Sequence, residues 1–486
     1  MTDAPLDAPP GEAAVPGAGF ERRKQQLGLV AGPTLAVLAG WLDRHGPAPA
    51  LSALLTLAVV WWMTEALPAA ATALAVAALA VILDLAPPKV AFGAFGAPLL
   101  FLFVGAFFIA EAMKVHGLGA RAGTLAGRLA RGPRSLLVAL SSAAFVVSAF
   151  MSNAASTAIL LPIALAACAS ASRRYQGAVV LAIAWAASMG GLVTPVGTPP
   201  NLIGLGQLRA AGVDVGFGTW VAIGLPIGLA MLGAMWLVLL TLFRVKAEPV
   251  TLPTAVTSAW SRGEVSIVIT LGLAITGWLA PSILALVAPG SAATAWADRH
   301  LTEETVALLA GLLLFILPGG THAAPRPTLT WDEATRIDWG VILLFGGGIL
   351  LGDLARTSGL TDAWGRALVA WTGAESTWVV VAMCIAVSIV LSEATSNTAT
   401  ATLMAPLAIG LADATHTSPV PAVLGATIGA SFGFMMPIST APNALAYGTG
   451  RVTVGQMMRT GIIFDLVGFV VVWLGLRLLL PLLGLA

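Results

Sequence analysis

Met151-Ser152-Asn153-Ala154-Ala155-Ser156-Thr157 is met again, 244 residues on, as Thr395-Ser396-Asn397-Thr398-Ala399-Thr400-Ala401. The surroundings return with it. Phe103-Val104-Gly105, followed by Glu111, Lys114, Gly117 and Leu118, becomes Phe345-Gly346-Gly347, followed by Asp353, Arg356, Gly359 and Leu360. Pro162 answers Pro406, and Gly197-Thr198-Pro199-Pro200-Asn201 answers Ser439-Thr440-Ala441-Pro442-Asn443. Matched segments held at offsets of 242 to 244 residues mark an internal duplication, which has to be recognised before any other element is assigned.

The composition fixes the solvent. A chain of 486 residues that is 58% hydrophobic and 10% charged has more apolar surface than a soluble core can hide, so it needs lipid. A bilayer core takes roughly 20 apolar residues as a helix. The expected fold is an all-α polytopic membrane protein with about eleven crossings, near 27–43, 51–67, 69–86, 98–116, 177–205, 219–243, 264–286, 304–318, 338–357, 420–448 and 459–484. Two further apolar pairs, 135–150 with 154–171 and 376–391 with 398–412, have short arms folded about a Ser-Asn centre. They are expected to be re-entrant hairpins, over 135–171 and 376–412, whose tips line a cavity. Non-helical backbone at membrane depth survives only where protein or trapped water satisfies it.

Lys and Arg set the orientation. With the N-terminus inside, seventeen of them fall on the cytoplasmic side, among them Lys114, Arg121, Arg173, Arg174, Arg244, Lys246, Arg451 and Arg459, and seven fall outside. Five crossings separate Phe103 from Phe345, so the halves, about 51–243 and 264–484, face opposite ways: the repeat is inverted. Residues 1–26 are expected to be a disordered cytoplasmic tail, with 27–486 a single membrane unit. The expected location is the cell membrane (inner or plasma), with the C-terminus outside. A net charge of +1 gives no sign of nucleic acid as a partner.

The polar residues cluster at the breaks. Asn and Ser between two helical arms can cap free N–H groups, and the tip then presents a helix N-terminus, a place suited to an anion. Gly190, Gly191, Pro195, Pro199 and Pro200 interrupt the span that holds Thr194, Thr198 and Asn201, and Met436-Pro437-Ile438-Ser439-Thr440-Ala441-Pro442-Asn443 interrupts its partner. The carbonyls so freed, beside Ser, Thr and Asn oxygens, are hard ligands suited to a small cation such as sodium. No Lys or Arg lies in a tip or a break, so a bound anion would meet neutral donors and co-bound cations. Glu111 with Lys114, and Asp353 with Arg356, have the spacing of helical ion pairs, and Glu393 is expected to steady the second tip. Single His residues argue against a metal site, Cys168 and Cys384 read as packing residues, and Trp41, Trp61, Trp62, Trp331 and Trp339 as interfacial anchors. An enzyme is not expected, because neither Ser/His nor His/Glu/His occurs at workable spacing. An inverted repeat without a symmetric central pore does not suit a channel.

At these motifs the chain resembles the divalent anion/sodium symporter family, over nearly its whole length from about Leu27. The family's two Ser-Asn-Thr tips match Ser152-Asn153-Ala154 and Ser396-Asn397-Thr398, and its two broken-helix turns match Gly197-Thr198-Pro199-Pro200-Asn201 and Ser439-Thr440-Ala441-Pro442-Asn443. The resemblance implies a homodimer with an elevator-type transport domain in the lipid bilayer. It also implies sodium-coupled import of a dicarboxylate such as succinate, malate or fumarate, with exchange of dicarboxylates, or coupled transport of sulfate or citrate, as alternatives. By the same likeness one sodium ion would meet Ser148, Ser152, Asn153 and Gly197, and a second Ser392, Thr395, Asn397 and Ser439. The substrate carboxylates would meet Asn153, Ala154, Thr198, Asn397, Thr398 and Thr440. Ala154 departs from the family's Thr, which removes one hydroxyl from that set.

Overall fold

Gly105 and Gly347, equivalent positions of the repeat, make equivalent contacts in the computed structural model, which describes residues 18–245, 248–251, 259–321, 323–373 and 376–485. A Cβ on Gly105 would overlap the backbone of Ala307, in helix Glu303–Leu313. A Cβ on Gly347 would lie 2.6 Å from Ala73 Cβ, in helix Ala69–Ile82. Glycine is what lets helix Pro98–Val115 and helix Trp339–Thr357 press onto those neighbours. The two helices also meet each other: Phe103 and Phe345 stack edge to face with centroids 5.1 Å apart. The pseudo-symmetry mates thus touch at the join between the halves.

From there the halves run in parallel. Gly117 and Gly359, both left-handed with φ of 70° and 75°, turn the chain into helices Leu118–Arg128 and Leu360–Thr372. These were not separable from their apolar neighbours in the sequence. Next come the two helical pairs, Pro133–Ser148 with Asn153–Ala167 (the first hairpin) and Thr377–Ala394 with Asn397–Ala414 (the second). The first hairpin's arms of 16 and 15 residues are about 24 and 22 Å long, and the second's arms of 18 about 27 Å, against roughly 30 Å of hydrocarbon. Pro162 and Pro406 sit inside the descending arms.

Each hairpin is followed by a helix in two pieces. The first is Arg173–Gly190 and Pro199–Ala210, and the second Pro419–Ala430 and Ala441–Gly448. Each half closes on a long apolar helix, Phe217–Leu242 or Val454–Leu482. Six described helices are long and apolar enough to cross a membrane unaided. Apart from an isolated bridge between Pro318 and Pro327, the described elements are all helical. The Phe145 backbone would be overlapped by a Cβ on Gly190, so the first hairpin and the first broken helix are in van der Waals contact near their breaks.

Some expectations need correcting. The first helix begins at Ala18, not near Leu27, because the basic run Arg22-Arg23-Lys24 continues the helix beyond its apolar part; residues 1–17 lie outside the described set. The segment 304–318 is helical only over Glu303–Leu313, since Leu314, Phe315 and Ile316 close tighter i→i−3 bonds that wind the helix down. Trp62 is buried and donates its indole N–H to the Ala69 carbonyl at 3.2 Å, so it packs inside the protein and does not anchor at an interface. Trp41, Trp331 and Trp339 are exposed. Cys168 and Cys384 are free and buried. Lys246 and His322 lie outside the described residues.

Adding a methyl at either close contact is overpacking, which costs about 1–3 kcal/mol. Gly105→Ala and Gly347→Ala are each expected to lower the melting temperature of the purified protein. Gly272→Ala, where a Cβ would meet nothing within 4 Å, is expected to leave it unchanged. Thermal denaturation in detergent checks this, and an unshifted Gly105→Ala transition would contradict the packing described.

Candidate functional site

The two hairpin tips are built alike. At the first, the Ser152 side chain caps the descending arm by accepting from the Ala155 amide at 3.2 Å, and Ser148 Oγ donates to Asn153 Oδ1 at 2.7 Å. At the second, Ser396 accepts from the Ala399 amide at 3.2 Å, and Ser392 Oγ lies 2.7 Å from Asn397 Oδ1. The serine of the ascending arm thus fixes the asparagine that opens the descending one. Ser148 and Ser392 are fully buried, and Asn153 and Asn397 half-buried.

The breaks in the two following helices are held open by one residue type each. Asn201 is buried and donates Nδ2 to the carbonyls of Gly191 and Thr194, both at 2.8 Å. Asn443, its repeat mate, donates Nδ2 to Gly433 O at 2.7 Å and Met436 O at 3.1 Å. The receiving carbonyls are repeat mates as well. These four carbonyls stand at the breaks, where the carboxamide supplies a donor in place of the interrupted helix; Thr194 O and Met436 O accept as well from the amides of Gly197 and Ser439. In both asparagines the Oδ1 atom is buried without a hydrogen-bond partner. The motif spacing had matched Asn201 to Asn443 but gave neither a role; the signal was there in an amide repeated ten residues after a Gly.

Tip and break then meet. Gly191 packs against Asn153, where a Cβ would come within 2.5 Å of Oδ1, and a Cβ on Gly197 would come within 2.5 Å of the Gly191 carbonyl. Asn153, Gly191 and Gly197 are therefore one cluster, joined by Ser148. In the second half Ser439 Oγ lies 2.7 Å from the carbonyls of both Gly433 and Met436, which share its one proton, and Gly433 lies against Ser439 and the Ser392 carbonyl. Ser392 Oγ also reaches Ala430 O at 2.7 Å. Of the expected cation ligands, Ser148, Asn153 and Gly197, and likewise Ser392, Asn397 and Ser439, are brought together. The Ser152 hydroxyl serves as a cap. The Thr395 hydroxyl turns to Leu391 O and Thr400 Oγ1, at 2.9 and 2.8 Å, beside Trp62.

The expected anion contacts share one geometric property: each stands at the start of a helix. Asn153 and Ala154 open Asn153–Ala167, and Asn397 and Thr398 open Asn397–Ala414. Thr198 and Thr440 are the N-caps of Pro199–Ala210 and Ala441–Gly448. The N-terminal end of a helix carries a partial positive charge from the macrodipole, to which Pro199, Pro200 and Pro442 add no N–H of their own. The repeats also interlock, because Pro199–Ala210 packs on Asn397–Ala414, and Ala441–Gly448 on Asn153–Ala167. Trp185 of the first broken helix meets Phe434 of the second break at 5.5 Å. The walls of each half's site come partly from the other half.

Acidic residues play supporting parts. Lys114 pairs with Glu111 at 3.1 Å and Arg356 with Asp353 at 2.8 Å, as their spacing indicated. The Glu393 carboxylate accepts from the amides of Met435 at 2.8 Å and Met436 at 3.1 Å, so it ties the second tip to the second break. Asp465, inside Val454–Leu482, was not singled out in the sequence. Its carboxyl is buried beside Glu393 and the backbone of Phe434. Of the two hydroxyl residues that follow Ala154 within one turn, Thr157 donates to Asn153 O at 2.8 Å, whereas Ser156 Oγ is buried and unpartnered.

Comparison with known proteins agrees with this architecture. The citrate transporter family profile matches residues 59–429 and 301–484. A sodium-dependent dicarboxylate transporter, SdcS, of Staphylococcus saprophyticus is 30% identical, covering 94% of this chain and 92% of its own. SdcS of Staphylococcus aureus strain USA300 is also 30% identical, with 94% and 91% covered. Among solved structures, the YdaH transporter of Alcanivorax borkumensis superposes with a TM-score of 0.57 at 16% identity, covering 82% of this chain and 88% of that one, a likeness of fold.

Asn201→Ala removes the carboxamide donor of the buried Gly191 carbonyl, at about 1–3 kcal/mol, and Asn443→Ala leaves the Gly433 and Met436 carbonyls to share the single Ser439 hydroxyl. Each variant is expected to speed amide hydrogen exchange across its own break, 191–197 or 433–439, and to leave the other break protected. Exchange mass spectrometry reads both in one experiment, and unchanged protection in either variant would contradict the role assigned.

Proposed function

Because the chain belongs to the divalent anion/sodium symporter family that includes the citrate transporters, we propose that it is a secondary active transporter importing C4-dicarboxylates such as succinate, malate or fumarate by sodium symport. The observation that carries this reading is the arrangement of helix N-termini opened by Asn153, Thr198, Asn397 and Thr440 in a region without any Lys or Arg. Such a site attracts an anion but cannot neutralise it. The missing positive charge comes in as sodium, one ion at the Ser148–Asn153–Gly197 cluster and one at the Ser392–Asn397–Ser439 cluster.

Two sodium ions and a dicarboxylate sum to zero charge, so the loaded carrier crosses the hydrocarbon without the cost of an exposed ion. Each further sodium moving inward contributes about 2.3 kcal/mol per 100 mV of membrane potential. The two hairpins, the two broken helices and the helices that close each half form the moving body. The helices joined by Phe103 and Phe345 belong to the scaffold, and a homodimer holds that scaffold fixed. The protein sits in the cell membrane with its N-terminus cytoplasmic and its C-terminus outside. Both SdcS relatives carry sodium dependence and dicarboxylate transport in their names, which supports the same assignment here.

In proteoliposomes, labelled succinate is expected to accumulate under an inward sodium gradient and not under potassium or proton gradients. Uptake that needs dicarboxylate inside the vesicle instead would identify an exchanger. Asn153→Ala and Asn397→Ala are each expected to abolish uptake with dimer assembly intact, and transport at the normal rate by either would remove the site assignment. Ala154→Thr restores one hydroxyl near a carboxylate, a bond of about 1.5–3 kcal/mol. It is expected to tighten succinate binding at least tenfold, about 1.4 kcal/mol; unchanged affinity would show that the substrate does not reach position 154.

A further inference from the structure

A cavity of about 820 Å³ lies away from the hairpin tips. It opens where the start of Arg173–Gly190, the end of Phe217–Leu242 and the start of Val454–Leu482 come together. Four arginines, Arg173, Arg174, Arg451 and Arg459, converge on it from two stretches of the sequence, beside Thr453, Gln456 and Thr460. Arg174 donates to the Leu242 carbonyl at 3.0 Å. Among the described residues none of the four is paired with a carboxylate. Glu248, in the strand of chain that follows, is turned to Ser172, whose hydroxyl and amide it accepts at 2.6 and 2.9 Å and which hold its carboxyl below the usual carboxylate range.

The other wall is apolar. Leu242, Ile462 and Ile463 line it, and all three are exposed. From Ile462 an outward stripe continues at every fourth residue through Leu466, Val470 and Leu474. Residues four apart share one helix face, so the stripe descends about 18 Å from the arginines, close to the depth of one leaflet of a core roughly 30 Å thick. All four arginines fall on the side that the distribution of basic residues places in the cytoplasm.

Four unpaired cations at one end of an open cavity, with an apolar track leading from it into the membrane, match the two parts of a single molecule. We propose that this cavity is a binding site for an anionic phospholipid of the cytoplasmic leaflet, its phosphate held by Arg173, Arg451 and Arg459 and an acyl chain laid along Ile462, Leu466 and Val470. A basic pocket between helices on that side recognises lipid headgroups through charge and forked hydrogen bonds. A free phosphate ion would use the same arginines but would leave the apolar track idle. The site lies on helices of the body proposed to move, so a bound lipid would travel with it or be exchanged during transport. The inference does not depend on which solute is carried.

Native mass spectrometry of the purified full chain in detergent tests it, with phosphatidylglycerol and phosphatidylcholine titrated separately. The protein is expected to retain phosphatidylglycerol in preference to phosphatidylcholine, and millimolar inorganic phosphate is expected not to displace it. The double variant Arg451→Gln with Arg459→Gln is expected to weaken phosphatidylglycerol binding by roughly tenfold or more, while Arg459→Lys, which keeps the charge, stays close to the parent. If the double variant fails to give a sharp size-exclusion peak, Arg173→Gln on the facing wall supplies the same test. Equal retention of the two lipids, undiminished phosphatidylglycerol binding in the glutamine variants, or displacement by inorganic phosphate would each overturn the proposal.

Discussion

A backbone carbonyl or amide that loses its helical partner inside hydrocarbon has no water to turn to, and leaving it bare costs several kcal/mol. The rest of this structure follows from how that cost is met. Each half contains one hairpin tip and one helix break, and in each the freed groups are taken up by the protein itself. Ser152 and Ser396 cap the descending arms, Asn201 and Asn443 collect two freed carbonyls apiece, and Glu393 collects two freed amides of the second break. Among the buried side-chain atoms left without a hydrogen-bond partner in the described residues are the Oδ1 atoms of Asn201 and Asn443, one at each break. A membrane protein keeps such groups only where something polar visits them.

The duplication doubles this arrangement, and the inversion makes it useful. Gly191, Thr194 and Asn201 stand to the first break as Gly433, Met436 and Asn443 stand to the second, with the same donor reaching the same two acceptors. Because each broken helix lays its second piece on the other half's hairpin, the two clusters cannot move independently. A solute held between them is therefore held by one body. The halves are not copies in every respect: Glu393 has no counterpart carboxylate, since Ala149 stands at the equivalent place, and Ala154 lacks the hydroxyl that Thr398 keeps.

Much of this was legible in the chain, because the signals were local and repeated. Ser-Asn at an interruption of an apolar run, with Pro and Gly at a matching interruption further on, specified where the helices break and which residues flank the breaks. The charge distribution and the parity of the spans gave the inversion. Other features depended on contacts between distant segments. The Asn201 and Asn443 carboxamides acquire a role only once the break folds back over ten residues, and the Thr395 hydroxyl turns away from Asn397 because Thr400 lies closer along its own hairpin. Asp465 was hidden in a long apolar helix, where one acid does not disturb the hydropathy. The helices Leu118–Arg128 and Leu360–Thr372 were hidden in the same way, each marked only by the glycine before it. The arginine cavity joins residues 173–174 to 451–459, which no reading of neighbours in sequence could connect.

In the proposed transport cycle the positive charge in the site comes from outside the protein. With no Lys or Arg at the tips or breaks, the proposed symport has anion and cation bind as a set, and linkage then requires each to raise the affinity of the other by the same factor. Equilibrium binding of labelled succinate to the purified protein, with sodium replaced by choline at constant ionic strength, measures that factor without any transport step. The expected result is a tightening by sodium of roughly tenfold or more, lost in Asn397→Ala. Succinate binding of equal strength in sodium and in choline would contradict it.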